Sequence, residues 1–235
     1  MSARAAPRRR PLARLREVVE AVLVAVVFAL FVKAFLFEAY RIPSGSMEQS
    51  LLVGDHVVVD KLAWAPRTLP WGPLLPRREL RHGDVVVFRG PEEPGRDLIK
   101  RAVALGGETV ELRAKRLRRD GRDADEPYAV HRDPALLLGD GVPASLRGRD
   151  EMPPLTLPPG TFFALGDNRD ESRDSRFFGP VREDLVRGRA LLVYWSVRPP
   201  EEQISGRSAD VRRFLDGAIH FLSRTRWQRT FRVVR

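Results

Sequence analysis

The chain has 235 residues, 43% of them hydrophobic, with a formal net charge of +10 and no cysteine. That is enough apolar residue for one sizeable core or two small ones, and it excludes a disordered polymer. The missing cysteine excludes disulfides, thiolate nucleophiles and Cys-based zinc sites, and His56, His82, His131 and His220 are too scattered for a histidine metal site.

A positive balance of this size suits nucleic acid, anionic lipid or an arginine-favouring codon usage, so its distribution must choose. Residues 1–16 carry Arg4, Arg8, Arg9, Arg10, Arg14 and Arg16 and no acid. Ala21 to Val32 is then free of charge, and Val18–Phe37 extends the apolar stretch past Lys33. Twenty residues make a helix of about 30 Å, the thickness of a bilayer core. A span over 17–37 requires Glu20 near one headgroup layer and Lys33 snorkelling to the other. A cleaved secretory signal and a buried amphipathic helix are the rival readings. A retained span puts the basic tail, 1–16, in the cytoplasm and later residues outside, in a single-pass arrangement.

Beyond the span the pattern is short strands and turns. VGDHVVVDKLAW offers Val57, Val58 and Val59 after a Gly-Asp turn. The proline-rich stretch 65–80 must be an extended loop. HGDVVVFRG reads as another strand, and LIKRAVALGGETVELRAKRL as two strands joined at Gly106-Gly107. Asp120-Gly121 is a hairpin signal. Residues 112–160 read as an insertion with less core. Strand character returns at Phe162–Leu165 and Ala190–Val197. These elements predict a mainly β protein, its catalytic part formed by 38–111 and 161–200. The tail 201–235 is basic and has apolar residues at helical spacing from Val211 to Leu222. It suits either anionic headgroups or a docked segment with a solvated face.

Three segments could carry chemistry. In RIPSGSMEQSLLVGD, Ser44 and Ser46 flank Gly45, which alone is an ordinary turn. In LIKRAVALGGE, Lys100 shares a strand face with Leu98 and Ala102, with Arg101 on the other face; alone it reads as an exposed lysine at a strand start. In ALGDNRDESRDSRFFG, charge is dense between two aromatic pairs. Such a run is commonly a solvated loop, but its aromatic borders predict partial burial and internal bonding.

Taken together and in this order, IPSGSM, GDVVVF, KRAVALGGE and GDNRDESRDSRFFG after an N-terminal apolar segment resemble bacterial type I signal peptidases. The likeness runs over about residues 17–111 and 161–200. It implies a β catalytic domain of that family with an inserted smaller β region, preceded by one transmembrane helix. It implies a membrane serine endopeptidase in the cytoplasmic membrane that removes signal peptides from exported preproteins, near the secretion translocon, with no metal or organic cofactor and no nucleic acid.

The same likeness assigns Ser46 as nucleophile and Lys100 as general base. It assigns the Ser44 hydroxyl and the Ser46 N–H to the oxyanion hole. Ser172 orients the lysine, and Asp174 with Arg176 forms a supporting pair. Tyr40, Ile42, Pro43, Met47, Leu51, Leu98 and Ile99 fall at its small apolar substrate pockets. Gln49-Ser50, Gly106-Gly107-Glu108 and Leu98 depart from the pattern usual in the family, which touches the pockets and one turn. Chemically, a lysine with a pKa near 10.4 works as a base only if that value falls by about 2–3 units, which apolar burial can supply. A carboxylate beside Lys100 would oppose this, so Asp174 is expected to pair with Arg176. Three alternatives stay open: a related Ser/Lys maturation peptidase with one dedicated substrate, an inactive membrane-anchored binding module, and a self-cleaving DNA-binding regulator. The last would need a helix-turn-helix where the apolar run stands.

Overall fold

The structure is a computed structural model that describes residues 11–64, 78–93, 95–139, 141–199 and 221–234. The arginine-rich start before residue 11, the proline-rich stretch 65–77 and the helical pattern from Val211 to residue 220 lie outside the described residues.

Helix α1 runs Pro11–Phe31 and continues as a π-helical turn, Val32–Leu36. It begins earlier than the expected span because the basic residues before Glu17 are also good helix formers. Arg14–Leu36, 23 residues with none of its most apolar window buried, is long and apolar enough to cross a membrane. At 1.5 Å per residue it reaches about 35 Å. Lys61 closes its far end: the backbone N–H donates to Leu36 O at 2.9 Å and Nζ to Ala34 O at 3.3 Å. Two helix-end carbonyls that would otherwise lack partners are thereby satisfied.

The chain passes directly into β1 (Phe37–Arg41), whose residues alternate between exposed and half-buried. The larger sheet adds β2 (Asp55–Asp60), β3 (Val85–Arg89), β4 (Asp97–Leu105), β9 (Thr161–Leu165), β10 (Val181–Arg182), β11 (Val186–Ser196) and β12 (Arg232–Val233). Its order is β1-β2-β11-β3-β4-β9-β10, with β12 also on β11. Three strands separate β1 from β4 in this order. Yet the Tyr40 hydroxyl on β1 donates to Asp97 Oδ2 on β4 at 3.0 Å. The sheet is therefore curled until those two strands face each other. A smaller sheet, β7-β6-β5-β8, is formed by β5 (Thr109–Arg113), β6 (Arg116–Arg119), β7 (Arg122–Asp123) and β8 (Met152–Thr156). The protein is mainly β with one N-terminal apolar helix.

Alternation builds the core. Val57 and Val59 point inward from β2 with no exposed surface, joining Ile42, Met47, Leu51, Val85 and Val87. Val86 and Phe88, on the other face of β3, pack with Ala102 and Phe162. Under the small sheet, Val110, Leu112 and Leu117 pack on Val103, Phe163 and Leu165. Full burial of such side chains stabilises by about 1.5–3 kcal/mol each.

The first of two further features was not expected. The β5–β6 turn is made by Ala114 (φ 47°) and Lys115 (φ 69°), both left-handed. Lys115 holds it: its N–H donates to Asp150 O at 2.8 Å, and its Nζ to Asp170 Oδ1 at 3.0 Å and Asp133 O at 2.6 Å. At the C-terminal end, Arg229 pairs with fully buried Asp55 at 2.6 Å and donates to Ser50 O at 2.9 Å. Val234 enters the same cluster as Met47. Residues 225–234 are thus docked behind the loop that follows Ser46, while Phe221, Leu222, Trp227 and Phe231 stay exposed.

Candidate active site

Ser46 sits in a single 3-10 turn, Gly45–Met47, between β1 and β2. Ser44 enters it in extended conformation (φ −134°, ψ 158°). On both sides the turn is anchored by burial: Ile42 is 2% exposed, and Met47 and Leu51 are closed to solvent. The Ser46 carbonyl accepts from the Asn168 N–H at 3.1 Å, and Gly45 O from Asn168 Nδ2 at 3.3 Å. The turn of Ser46 is thereby tied to the charged loop, with Asn168 standing 123 residues beyond Gly45.

Clearance there is minimal. A Cβ on Gly166 would fall 2.2 Å from Ser172 Oγ and 2.6 Å from Ser46 O. Glycine is needed at this crossing because the two loops approach backbone to side chain.

Lys100 lies mid-strand in β4, opposite Val86, and is 4% exposed. Its Nζ is 2.6 Å from Ser46 Oγ, so amine and hydroxyl share a hydrogen bond. Burial pushes the lysine down to about 8; the Asp174 charge opposes this and the Arg176 guanidinium reinforces it. At neutral pH roughly a tenth of such an amine is uncharged, several hundred times more than for a free lysine.

Asp174 is fully buried. Burial alone would raise its pKa, but the Arg176 guanidinium and the Gly166 N–H hold it below the usual carboxylate range. Arg176 Nε donates to Oδ1 at 2.8 Å, Nη2 to Oδ2 at 2.8 Å, and the Gly166 N–H to Oδ2 at 3.0 Å. Asp174 also caps the short helix α2 (Ser175–Phe178). Its charge is engaged by Arg176, leaving Ser46 Oγ as the bonded partner of Lys100.

The remaining predicted residues divide. Tyr40 and Ile99 pack against the cluster containing Ile42, Met47 and Leu51. Leu98 does not join them; it packs with Phe88 and Ala102 on the face of β4 opposite Ile99. Pro43 and Ser44 are exposed. Ser172 is 7% exposed; its hydroxyl is not bonded to Lys100 as expected but faces the Asp174 carboxylate, whose charged form it favours. Among the described residues no group of three or more His, Asp or Glu is placed to hold a metal ion.

Sequence reasoning missed Arg101 and Asp167, which form a buried bidentate pair with both contacts at 2.7 Å. Arg101 also donates to Ser50 Oγ at 2.9 Å and Gly83 O at 2.7 Å. It thus joins the strand of Lys100 to the loop after Ser46. The only available signal was an arginine next to Lys100 in a largely apolar strand.

The family model "Signal peptidase, peptidase S26" matches residues 15–195. A signal peptidase I of Pseudomonas aeruginosa is 35% identical over 199 residues, covering 73% of this chain and 69% of its own. One from Aquifex aeolicus is 29% identical over 233 residues, covering 79% and 86%. A crystal structure of a signal peptidase I from Enterococcus faecalis is 33% identical and covers 48% of this chain and 97% of its own, with a TM-score of 0.37. A match over most of the chain, from the apolar helix to the end of β11, makes this protein a member of the S26 signal peptidase family of peptidases.

Proposed function

We propose that this protein is a membrane-anchored endopeptidase that removes signal peptides from exported preproteins by acyl transfer, with Ser46 as nucleophile and Lys100 as general base. The observation that carries this is the 2.6 Å contact between Lys100 Nζ and Ser46 Oγ, with the amine buried and its pKa lowered to about 8. Serine is a weak nucleophile without a base, and lysine is a base only when desolvated. Neither requirement is met by an exposed pair.

In the proposed course Nζ takes the Oγ proton as Oγ attacks the scissile carbonyl. The Ser46 N–H and the Ser44 hydroxyl donate to the oxyanion. Protonated Nζ returns its proton to the leaving amine, and water then cleaves the ester with Lys100 again as base. Ser172, buried beside the site with its hydroxyl toward Asp174, orients the amine once Oγ is acylated. The Asp174–Arg176 pair keeps the loop around it rigid.

The substrate is an extended chain that adds to the groove where β1 faces β4, with small residues before the cut. Tyr40 and Ile99 line that groove, and the expected pocket residues Ile42, Met47 and Leu51 are buried core beneath it; the exposed Pro43 stands at its edge. The substrate's apolar segment lies in the bilayer beside the helix Arg14–Leu36, with the arginines before it on the cytoplasmic side.

The test is cleavage of a fluorogenic signal peptide by the full chain in lipid vesicles. Ser46→Ala and Lys100→Ala should each lower kcat/KM by about 10⁴-fold or more. Ser44→Ala should cost about 10–1000-fold, as for a lost oxyanion donor. The base must be neutral, so kcat/KM should rise with pH through a midpoint near 8 and fall on the acid side. Near-normal turnover by Lys100→Ala would refute the assignment.

A further inference from the structure

Between β7 and β8 the chain makes a turn, Glu126 to Ala129, closed by the Ala129 N–H on Glu126 O at 3.0 Å. Three residues of this segment each grip a different part of the site's framework. Glu126 pairs with both guanidinium nitrogens of Arg169, at 2.9 and 2.5 Å. Arg169 is 1% exposed and donates to Gly166 O at 3.1 Å. Tyr128 lies with its ring 4.0 Å from the Arg101 guanidinium carbon, a cation–π contact. Val130 brackets Asn168: its N–H donates to Asp167 O at 2.8 Å, and its carbonyl accepts from the Arg169 N–H at 3.0 Å. Asn168 in turn holds the Ser46 carbonyl.

The segment therefore reaches the nucleophile and the base along separate routes. Through Glu126, Val130 and Asn168 it fixes the backbone of Ser46. Through Tyr128 and Arg101 it presses on the residue next to Lys100, and Arg101 also binds Ser50 beyond the nucleophile. An oxygen–nitrogen contact of 2.6 Å tolerates a shift of only about 0.5 Å before proton transfer suffers. A strap that clasps both partners is the means of holding it.

We propose that Glu126 and Tyr128 are positioning residues for the Ser46–Lys100 pair, which gives the segment between the small sheet's strands a role in the reaction. The inference rests on the proposed Ser/Lys chemistry. Neither residue touches the substrate, so weakening the strap lowers kcat and leaves KM in place.

The experiment compares Glu126→Gln, Tyr128→Leu and Tyr128→Phe in the vesicle-bound full chain, with kcat and KM on a signal peptide and thermal unfolding of each variant. Glu126→Gln and Tyr128→Leu should lose about 10-fold or more in kcat with KM within about twofold and the protein folded. Tyr128→Phe keeps the ring over Arg101 and should restore kcat. Wild-type kcat in folded Gln and Leu variants overturns the proposal. So does a loss confined to KM, which would make the strap a substrate contact, or failure of both to fold, which would make it a fold determinant. If the wild-type enzyme proves independent of Ser46, the Ser/Lys reading itself fails, a result separable from these.

Discussion

The two faces of β4 treat positive charge in opposite ways. Lys100 and Arg101 are consecutive, and both are almost closed to solvent, at 4% and 1% exposed. Arg101 meets a carboxylate in bidentate geometry, a backbone carbonyl and a hydroxyl. Lys100 is bonded to a hydroxyl, while Asp174, the acid with the largest pull on it, is engaged by Arg176. A paired guanidinium is a structural charge, fixed in place. An ammonium with no carboxylate bonded to it is driven to release its proton. The same depth of burial fixes the charge on one face and favours loss of the proton on the other, and the difference is where the carboxylates are placed.

The comparison breaks most sharply at Asp167. Asp167→Ala removes the carboxylate that holds the buried Arg101 guanidinium in bidentate geometry and should cost about 3–5 kcal/mol, read from chemical denaturation. Lys100→Met should do the reverse. It removes a buried amine whose charged form is disfavoured, and should stabilise by about 1–3 kcal/mol at pH 7 while abolishing cleavage. The sign follows from protons: between about 8 and the ordinary lysine value the unfolded chain binds more of them, so wild-type stability rises with pH there. The advantage of methionine should therefore shrink across that window and vanish above it. The smallest effect belongs to the rim. Tyr40→Phe removes one partly solvated hydrogen bond to Asp97, worth about 1 kcal/mol or less, and a double-mutant cycle with Asp97→Ala measures it.

Much of this was legible beforehand, for identifiable reasons. Strands β2, β3, β9 and β11 were readable because β-branched and aromatic runs stood between turn signals. The facing of Lys100 away from Arg101 followed from alternation. The assignment of Ser46 and Lys100 to the proposed reaction came from a resemblance, because Pro-Ser-Gly-Ser has no chemistry of its own. Strand β1 was hidden inside the end of the apolar run, where helix and strand look alike over a few residues. The Ala114–Lys115 turn carried no glycine or asparagine, since its left-handed residues are held by long-range bonds from Lys115. The Arg101–Asp167, Glu126–Arg169 and Asp55–Arg229 pairs join residues 66, 43 and 174 apart, and no spacing rule reaches that far. Leu98 was grouped with Ile99 by likeness, although consecutive strand residues point to opposite faces and the two pack in different clusters.

Gly166 has a consequence for how the site tolerates change. Its hydrogen occupies the only space left between Ser172 and the Ser46 carbonyl, so one added methyl would wedge the two loops apart. A residue with no functional group then matters as much as those that move protons. In a mutational survey of this protein, a silenced position would not by itself mark a reactive group, because part of the proposed site is a gap of fixed width.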